Sequence, residues 1–277
     1  MSGRGASGLS GDQCGSDDIV EQLREAADDR EVGAVVIRLN TPGGSAAGSQ
    51  EISREIEHLR ESGKKVVASM GDVCASGGYW IAAGADAIVA NPATITGSIG
   101  VIMEVTRLEQ LMKKIGVEID TVKSGPYKDI GSMSRKLEDE ERAILQGMVD
   151  DIYAQFLDTV AAGRKMDMEK VRSLADGRIF TGRQARELGL VDEFGNVEDA
   201  LVTAAEAAGI EDDWTLKEFG KVSPLERLLD LLEGRVALGS LLGAPALGRE
   251  LTGLPGLQSL PMKLWFARDL LRSGGLR

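Results

Sequence analysis

Histidine, cysteine and long apolar runs are scarce in this sequence, and each shortage excludes a class of protein. The chain has one histidine, His58, which excludes a zinc cluster built on histidine ligands. Its two cysteines, Cys14 and Cys74, cannot form a disulfide scaffold, so cysteine usage leaves the compartment open. The uncharged, apolar-looking stretch at residues 236–248 is interrupted by glycine and proline and is shorter than the roughly 20 residues of a membrane span.

Basic and aromatic residues are also few. The 277 residues include 44 acidic and 32 basic side chains, for a net charge of −12, and only 4% are aromatic. This balance argues against a nucleic-acid-binding protein, because phosphate binding needs a basic surface. Residues 1–17 are small and polar and lack the apolar core of a signal peptide, so we predict a disordered tail on a polypeptide that is soluble as given.

Apolar runs and helical patterns alternate along the first ninety residues. The predicted strands are 32–39, 65–70 and 87–90, and the predicted helices between and around them are 18–29, 46–62 and 79–85. Nearly continuous apolar strands are typical of parallel sheets, so the order predicts an α/β fold with a mostly parallel sheet and flanking helices. Both glycine-rich loops follow strands, and we expect them to meet in one cleft at the carboxyl edge of the sheet.

The second half of the chain is predicted to be mostly helical. A long amphipathic helix is predicted over residues 137–163, and we interpret its acidic first turn as a solvated face at the positive helix end. Beyond about residue 210 the pattern changes, with a helical segment at 225–232 followed by a region rich in glycine and proline. Residues 211–277 are therefore predicted to form a helical extension, for which subunit packing is favoured over contact with a membrane surface.

The loop after the second predicted strand holds the best candidate nucleophile, Ser76. Its small neighbours let a substrate carbonyl approach, and the N–H of Gly77 lies at a helix start, where free amides can stabilise an oxyanion. A tight packing turn is the alternative interpretation. Cys74 is a rival nucleophile, but we expect it to be a small buried hydrophobe.

Lysine is the candidate general base, because His58 lies in the middle of a predicted helix among charged side chains. Pairs of serine and lysine are a known variant of the catalytic triad. Such a lysine must be neutral, so desolvation or a nearby positive charge must lower its pKa from the ordinary value of about 10.4.

Five motifs, in the same order, resemble the short bacterial or archaeal form of signal peptide peptidase A. They are NTPGG at 40–44, GDVCASGGYW at 71–80, TITGSIGVI at 94–102, KSGPYKDI at 123–130 and DGRIFTGRQARELGLVD at 176–192. The last motif also resembles the wider Clp protease and crotonase superfamily. The resemblance implies a Clp protease/crotonase-like fold with a peptidase domain over residues 18–210.

The resemblance implies roles position by position. Ser76 matches the nucleophile, Lys128 the general base, and Ser98 a hydroxyl that orients the lysine amine. Gly43 and Gly77 match the amides of the oxyanion hole. The implied chemistry is serine endopeptidase activity without a metal or cofactor.

The family also implies substrates and an assembly. Its short forms cleave remnant signal peptides or other unfolded apolar peptides in a ring, and one active site takes its serine and its lysine from neighbouring subunits. Relatives begin with a membrane anchor and a first strand. Neither precedes Asp18 here, so we expect an exposed edge of the sheet.

Other interpretations of the sequence stay open. The chain could be a catalytically inactive scaffold of the same fold. A crotonase-type acyl-CoA enzyme would also use a backbone oxyanion hole, but it gives no reason for Lys128 and Ser98 at these spacings. A phage capsid-maturation protease or a membrane-raft-associated protease would share the serine–lysine dyad and differ in its natural substrate.

Overall fold

A computed structural model describes residues 15–210 and 214–220 and the backbone of residues 263–269. The strands are β1 (Val32–Thr41), β2 (Lys65–Ala75), β3 (Ala87–Ala90), β4 (Ile95–Gly97), β5 (Ile179–Thr181), β6 (Glu193–Phe194), β7 (Trp214–Phe219) and β8 (Lys263–Asp269). The helices are α1 (Ser16–Asp28), α2 (Ala46–Glu61), α3 (Gly77–Ala83), α4 (Glu109–Ile115), α5 (Asp139–Arg164), α6 (Met168–Leu174), α7 (Gly182–Leu188) and α8 (Val197–Ala207).

The centre of the sheet is parallel. Strand β2 pairs in parallel with β1, β3 and β4, and β3 pairs in parallel with β6. Antiparallel pairs lie at the margins, where β5 pairs with β4 and β8 joins β1 to β7. This arrangement confirms the predicted α/β fold with flanking helices.

Strand β2 bends in its middle and so curls the sheet. Its residues 67–69 pair with β3, and its residues 73–75 pair with β4. At the bend, a Cβ on Gly71 would lie 2.8 Å from the Cβ of Asn40, so a larger residue would not fit. The Asn40 Oδ1 accepts a hydrogen bond from the Val73 N–H at 3.1 Å. This contact joins the carboxyl-terminal ends of β1 and β2, where the cleft is expected.

Both faces of the sheet are covered. One face carries the larger core, in which buried side chains of α1, α2, α3 and α5 pack against β1 and β2. On the opposite face, α8 packs a smaller apolar cluster, whose fully or nearly fully buried members are Ala34, Val36, Val67, Val89, Ala200, Leu201 and Ala204. Burial on both faces explains the continuous apolar runs in the sequence, because side chains on either side of a strand pack against a helix.

The early elements match the predictions except at their ends. Helix α1 begins at Ser16, so two residues of the predicted tail belong to it, and residues 1–14 lie outside the described part. Strand β2 extends to Ala75, five residues beyond the predicted end, because its last residues pair with β4. Helix α3 begins at Gly77, and α5 spans Asp139–Arg164.

The C-terminal prediction needs correction. The described segments beyond residue 210 are strands β7 and β8. The prediction of a helical extension over residues 211–277 is therefore wrong for these two segments. The helix predicted over 225–232 lies outside the described residues. Strand β8 pairs antiparallel with β1 and covers the edge that we expected to be exposed. Among the described residues, no helix is long and apolar enough to cross a membrane.

Candidate active site

The glycine-rich loops after β1 and β2 meet, as the sequence predicted. A Cβ on Gly43 would lie 2.8 Å from both the Gly77 nitrogen and the Ser76 Cβ. Gly43 also has a φ of +111°, which side-chain-bearing residues rarely adopt. A Cβ on Gly77 would lie 2.5 Å from the Ser49 Oγ. Glycine at both positions therefore lets the backbone of the loop after β1 contact the backbone of the loop after β2 beside Ser76.

Ser76 occupies a strained turn between β2 and α3. Its φ of 52° and ψ of −121° are sparsely populated by residues other than glycine. Two backbone hydrogen bonds hold it there, from the Ser76 N–H to the Gly97 carbonyl and from the Trp80 N–H to the Ser76 carbonyl, both 2.9 Å long. A sharp strand-to-helix turn of this kind exposes a nucleophilic hydroxyl in other hydrolase folds.

Two backbone amides beside Ser76 have no hydrogen-bond acceptor within the described part of the chain. They belong to Gly44 and Gly77, and both glycines line the same cavity as Ser76. The Gly43 N–H, in contrast, donates to Thr41 Oγ1 at 3.2 Å within its own loop. An oxyanion hole needs N–H groups that are free to donate, and the amides of Gly44 and Gly77 meet this requirement. The role of Gly43, which the family resemblance implied, stays a prediction.

The cavity around Ser76 has a volume of about 750 Å³ and a mostly apolar wall. Trp80 and Phe156 form part of that wall, with stacked rings whose centroids are 4.6 Å apart. Other apolar wall residues are Ile102, Met103, Val149 and Ile152. The cavity therefore suits an apolar segment of substrate next to the serine hydroxyl.

Ser98 lines the same cavity as Ser76. It follows β4 and has a φ of 50°, and its N–H donates to the Arg178 carbonyl at 2.8 Å. The preceding Gly97 has a φ of +83°, and a Cβ there would lie 2.6 Å from the Phe180 ring. Pairing of β4 with β5 thus fixes Ser98 at the cleft.

Lys128 lies apart from these residues. It is exposed, it does not line the cavity, and its amine has no hydrogen-bond or ion-pair partner among the described residues. A turn holds its backbone, with the Lys128 N–H donating to the Gly125 carbonyl at 3.3 Å. The fold of the single chain brings together Ser76, Ser98 and the glycine amides, and it does not bring Lys128 to them.

The segment around Lys128 exposes many apolar side chains. In residues 102–133, Ile102 is 85% exposed, Ile115 is 65% exposed and Val122 is fully exposed. Other exposed apolar residues of this segment are Met103, Leu111, Val117, Ile119, Tyr127 and Met133. We call residues 102–133 the exposed apolar segment. Apolar surface in this amount is typical of a protein interface.

Cys74 and His58 behave as the sequence predicted. Cys74 is fully buried, and burial raises the pKa of its thiol, so it is not a reactive nucleophile. His58 lies on α2, with its Nδ1 3.3 Å from Glu55 Oε2, and it does not line the cavity.

Two features of the site went unnoticed in the sequence. Thr41 folds the first loop, since its Oγ1 accepts from the Gly43 N–H, and threonine hydroxyls commonly do this in turns. Arg135 bridges Asp129, the neighbour of Lys128, to Glu141 on α5. The spacing of these charges in sequence does not distinguish such a bridge from a solvated surface.

Acyl transfer to serine is the chemistry that this cavity suits, which places the chain among serine-type hydrolases with an α/β fold. Known sequences narrow this class further. Residues 58–211 match the family described as Peptidase family S49. The chain belongs to this family of serine-type peptidases, and the curled sheet with flanking helices agrees with its Clp protease/crotonase-like fold. This result favours a peptidase over a crotonase-type acyl-CoA enzyme.

Several relatives carry protease names. A Synechocystis protein named as protease slr0021 is 51% identical over 189 residues, which cover 68% of each chain. Protease 4 of Salmonella typhi is 38% identical over 238 residues, or 83% of this chain and 38% of that protein. The chloroplastic serine protease SPPA of Arabidopsis thaliana is 37% identical over 222 residues, or 79% of this chain and 32% of that protein. The chain thus spans about a third of the length of the last two relatives.

Proposed function

We propose that this chain is a serine endopeptidase that cleaves unfolded apolar peptides, including remnant signal peptides, with Ser76 as nucleophile and Lys128 as general base. The observation that carries the proposal is the strained turn at Ser76 beside two free amides, those of Gly44 and Gly77. Strain of about 1–3 kcal/mol at such a residue persists only where the surrounding structure imposes it.

The proposed reaction proceeds through an acyl-enzyme. The Ser76 Oγ attacks the peptide carbonyl carbon while the Lys128 amine takes the hydroxyl proton. The negative oxygen then accepts hydrogen bonds from the two free amides, each typically contributing about 10²–10³ in rate. Lys128 returns the proton to the leaving amine, and water hydrolyses the ester at Ser76 with Lys128 again as the base.

We further propose that Lys128 reaches Ser76 of a neighbouring copy. The exposed apolar segment carries this lysine, and association with another copy would bury that surface. A head-to-tail contact of this kind, repeated around an axis, closes into a ring. Ser98 then orients the incoming amine, because it lines the cavity that holds Ser76.

Association would also activate the base. On its own chain the Lys128 side chain is exposed to water. Inside the apolar cavity of a neighbour, the amine would be removed from water, which is the setting that a lysine general base requires. The peptidase would then be active only as an assembly.

The cavity wall supports the proposed substrate class. Trp80, Phe156 and Ile152 offer apolar surface beside the nucleophile, and each buried methylene of a substrate contributes about 0.8 kcal/mol. Signal peptides are apolar, and relatives carry the protease names given above. A phage capsid-maturation or membrane-raft-associated protease would use the same dyad, and identification of natural substrates separates these proposals.

Complementation between two inactive variants tests the shared site. Ser76→Ala and Lys128→Ala are each expected to abolish cleavage of an apolar peptide. Co-expressed in equal amounts with different tags, they should recover about a quarter of wild-type activity, because each site then draws its serine and its lysine independently from the two parents. Full activity of either variant alone would contradict the dyad. A co-expressed mixture without activity would contradict the shared site.

A further inference from the structure

Both neighbours of Lys128 are tied to the first turn of α5. The Tyr127 hydroxyl donates to Glu140 Oε2 at 2.9 Å. On the other side, Asp129 is joined to Glu141 through Arg135. The Lys128 amine itself has no partner among the described residues, so the contacts fix the backbone around the amine and leave the amine available.

Arg135 contacts two carboxylates with paired hydrogen bonds. Its Nε donates to Asp129 Oδ2 and its Nη2 to Asp129 Oδ1, both at 2.9 Å. Its Nη1 donates to Glu141 Oε2 at 2.8 Å, and its Nη2 also donates to Glu141 Oε1 at 2.5 Å. The planar guanidinium has the fork geometry for two such pairs, whereas lysine has only a point charge.

Glu141 is itself fixed at the start of α5. Its side chain is buried, and its Oε2 accepts from the Glu138 N–H at 3.0 Å, which caps the start of α5. Further along α5, Phe156, Leu157 and Val160 are buried in the main core. We call the bridge from Asp129 through Arg135 to Glu141 the clamp. The clamp therefore links the neighbour of Lys128 to a helix that is anchored in the core.

Among its backbone hydrogen bonds, only the one from the Leu108 N–H to the Met133 carbonyl, at 2.8 Å, ties the chain between α4 and α5 to a part distant in sequence. Residues 117–138 contain turns but no helix or strand, and short-range backbone bonds such as Ile130 N–H to the Tyr127 carbonyl shape the turn at Lys128. Such local bonds set the shape of the turn, and they do not place it relative to the rest of the molecule. The links from Tyr127 and Arg135 place the turn relative to α5.

We propose that Arg135 is a positioning residue, which acts through Asp129 to set where the Lys128 amine reaches in the active site of a neighbouring copy. The inference rests on the proposed role of Lys128 as general base. Displacement of a catalytic group by 1 Å costs on the order of 100-fold in rate. The carboxylates of Asp129 and Glu141 both stay charged near neutral pH. The clamp therefore persists at neutral and higher pH, where the Lys128 amine would act as a base.

Substitution of Arg135 in the full-length protein tests this role. Arg135→Gln should lower kcat for an apolar peptide by about 10- to 100-fold, with KM and particle mass unchanged, because placement of the base changes and the cavity does not. Arg135→Lys should retain intermediate activity, since it keeps the charge and loses the fork. Arg54→Gln is the control, because Arg54 forms an exposed ion pair with Glu57 on α2 and should leave kcat unchanged.

Measurements in the Lys128→Ala protein separate a positioning role of Arg135 from a general effect of this residue on the fold. In the Lys128→Ala protein, the slow residual labelling of Ser76 by a fluorophosphonate should proceed at the same rate with and without Arg135→Gln, because Arg135 acts through an amine that is already absent. Equal slowing by Arg135→Gln in the wild-type and Lys128→Ala backgrounds would overturn the positioning role. If Arg135→Gln changes the particle mass, Asp129→Asn replaces it under the same criteria.

The outcomes distinguish this inference from the function on which it rests. Wild-type kcat in Arg135→Gln, together with an inactive Lys128→Ala, overturns the positioning role and leaves the dyad intact. Full activity in Lys128→Ala overturns the dyad itself, whatever Arg135→Gln shows.

Discussion

At the scale of the residue, the site depends on how closely the backbones of the loops after β1 and β2 approach each other. Gly43 and Gly63 both have positive φ angles, +111° and +89°. A Cβ on Gly43 would collide with Gly77 and Ser76, whereas a Cβ on Gly63 would meet nothing within 4 Å. The two glycines therefore share the same kind of backbone strain on substitution and differ in steric contact.

This difference gives a matched pair of variants. Gly43→Ala and Gly63→Ala should each lower stability through the backbone, by about 1–3 kcal/mol. Only Gly43→Ala should also slow fluorophosphonate labelling of Ser76, by more than about tenfold, because the loop must move and take the Gly44 N–H away from the Gly77 N–H. Urea unfolding and labelling rates measure the two effects. Equal labelling rates in the two variants would show that the close approach is irrelevant to reactivity.

The sequence predicted some of these residues and not others. Ser76 and Gly77 belong to a local strand–turn–helix pattern, so both were found without a structure. The choice between Gly43 and Gly44 was not accessible, because it depends on which N–H Thr41 engages. Their roles in catalysis stay predictions.

At the scale of the element, the accuracy of each predicted helix or strand depended on how local in sequence its contacts are. Strands β1 and β3 and helix α2 were predicted nearly to the residue, since their apolar patterns reflect burial against neighbouring elements. The end of β2 was missed because Val73 to Ala75 pair with β4, whose three residues carry no pattern of their own. Strands β7 and β8 were missed because β8 pairs with a strand that is distant in sequence.

The start of α5 is expected to respond to acid through Arg135. The guanidinium holds the pKa of Glu141 at about 2, below its ordinary 4.5, so the folded state binds this proton less readily than the unfolded state. The stabilisation is complete above pH 4.5 and is lost as pH falls towards 2. Thermal unfolding between these pH values should therefore depend less on pH in Arg135→Gln than in the wild type.

The control for this experiment is again Arg54→Gln, which should keep the wild-type dependence on pH. Other carboxyl groups also titrate in this range, so the comparison between variants carries the result and the slope of one protein alone does not. An Arg135→Gln protein with the wild-type slope would show that the clamp does not contribute to folding stability in acid.

At the scale of the whole molecule, the exposed apolar segment is expected to make the peptidase depend on assembly. Within it, Ile115 is 65% exposed and Val122 fully exposed in the single chain. Burial against another copy would remove both from water and would bring Lys128 to a neighbour's cavity. Assembly and catalysis should then fail together when charge is placed on this surface, because an unpaired buried carboxylate is costly.

The double variant Ile115→Asp/Val122→Asp should thus elute as smaller particles than the wild type and lose peptide cleavage, while its circular dichroism stays the same. Val202→Asp places a carboxylate on α8, at a residue 48% exposed and outside the segment, and should change neither mass nor activity. Light scattering coupled to chromatography gives the masses, and cleavage of an apolar peptide gives the rates. If the double variant keeps both the wild-type mass and the wild-type rate, this surface is no interface. If it dissociates and still cleaves at the wild-type rate, Lys128 must act within its own chain.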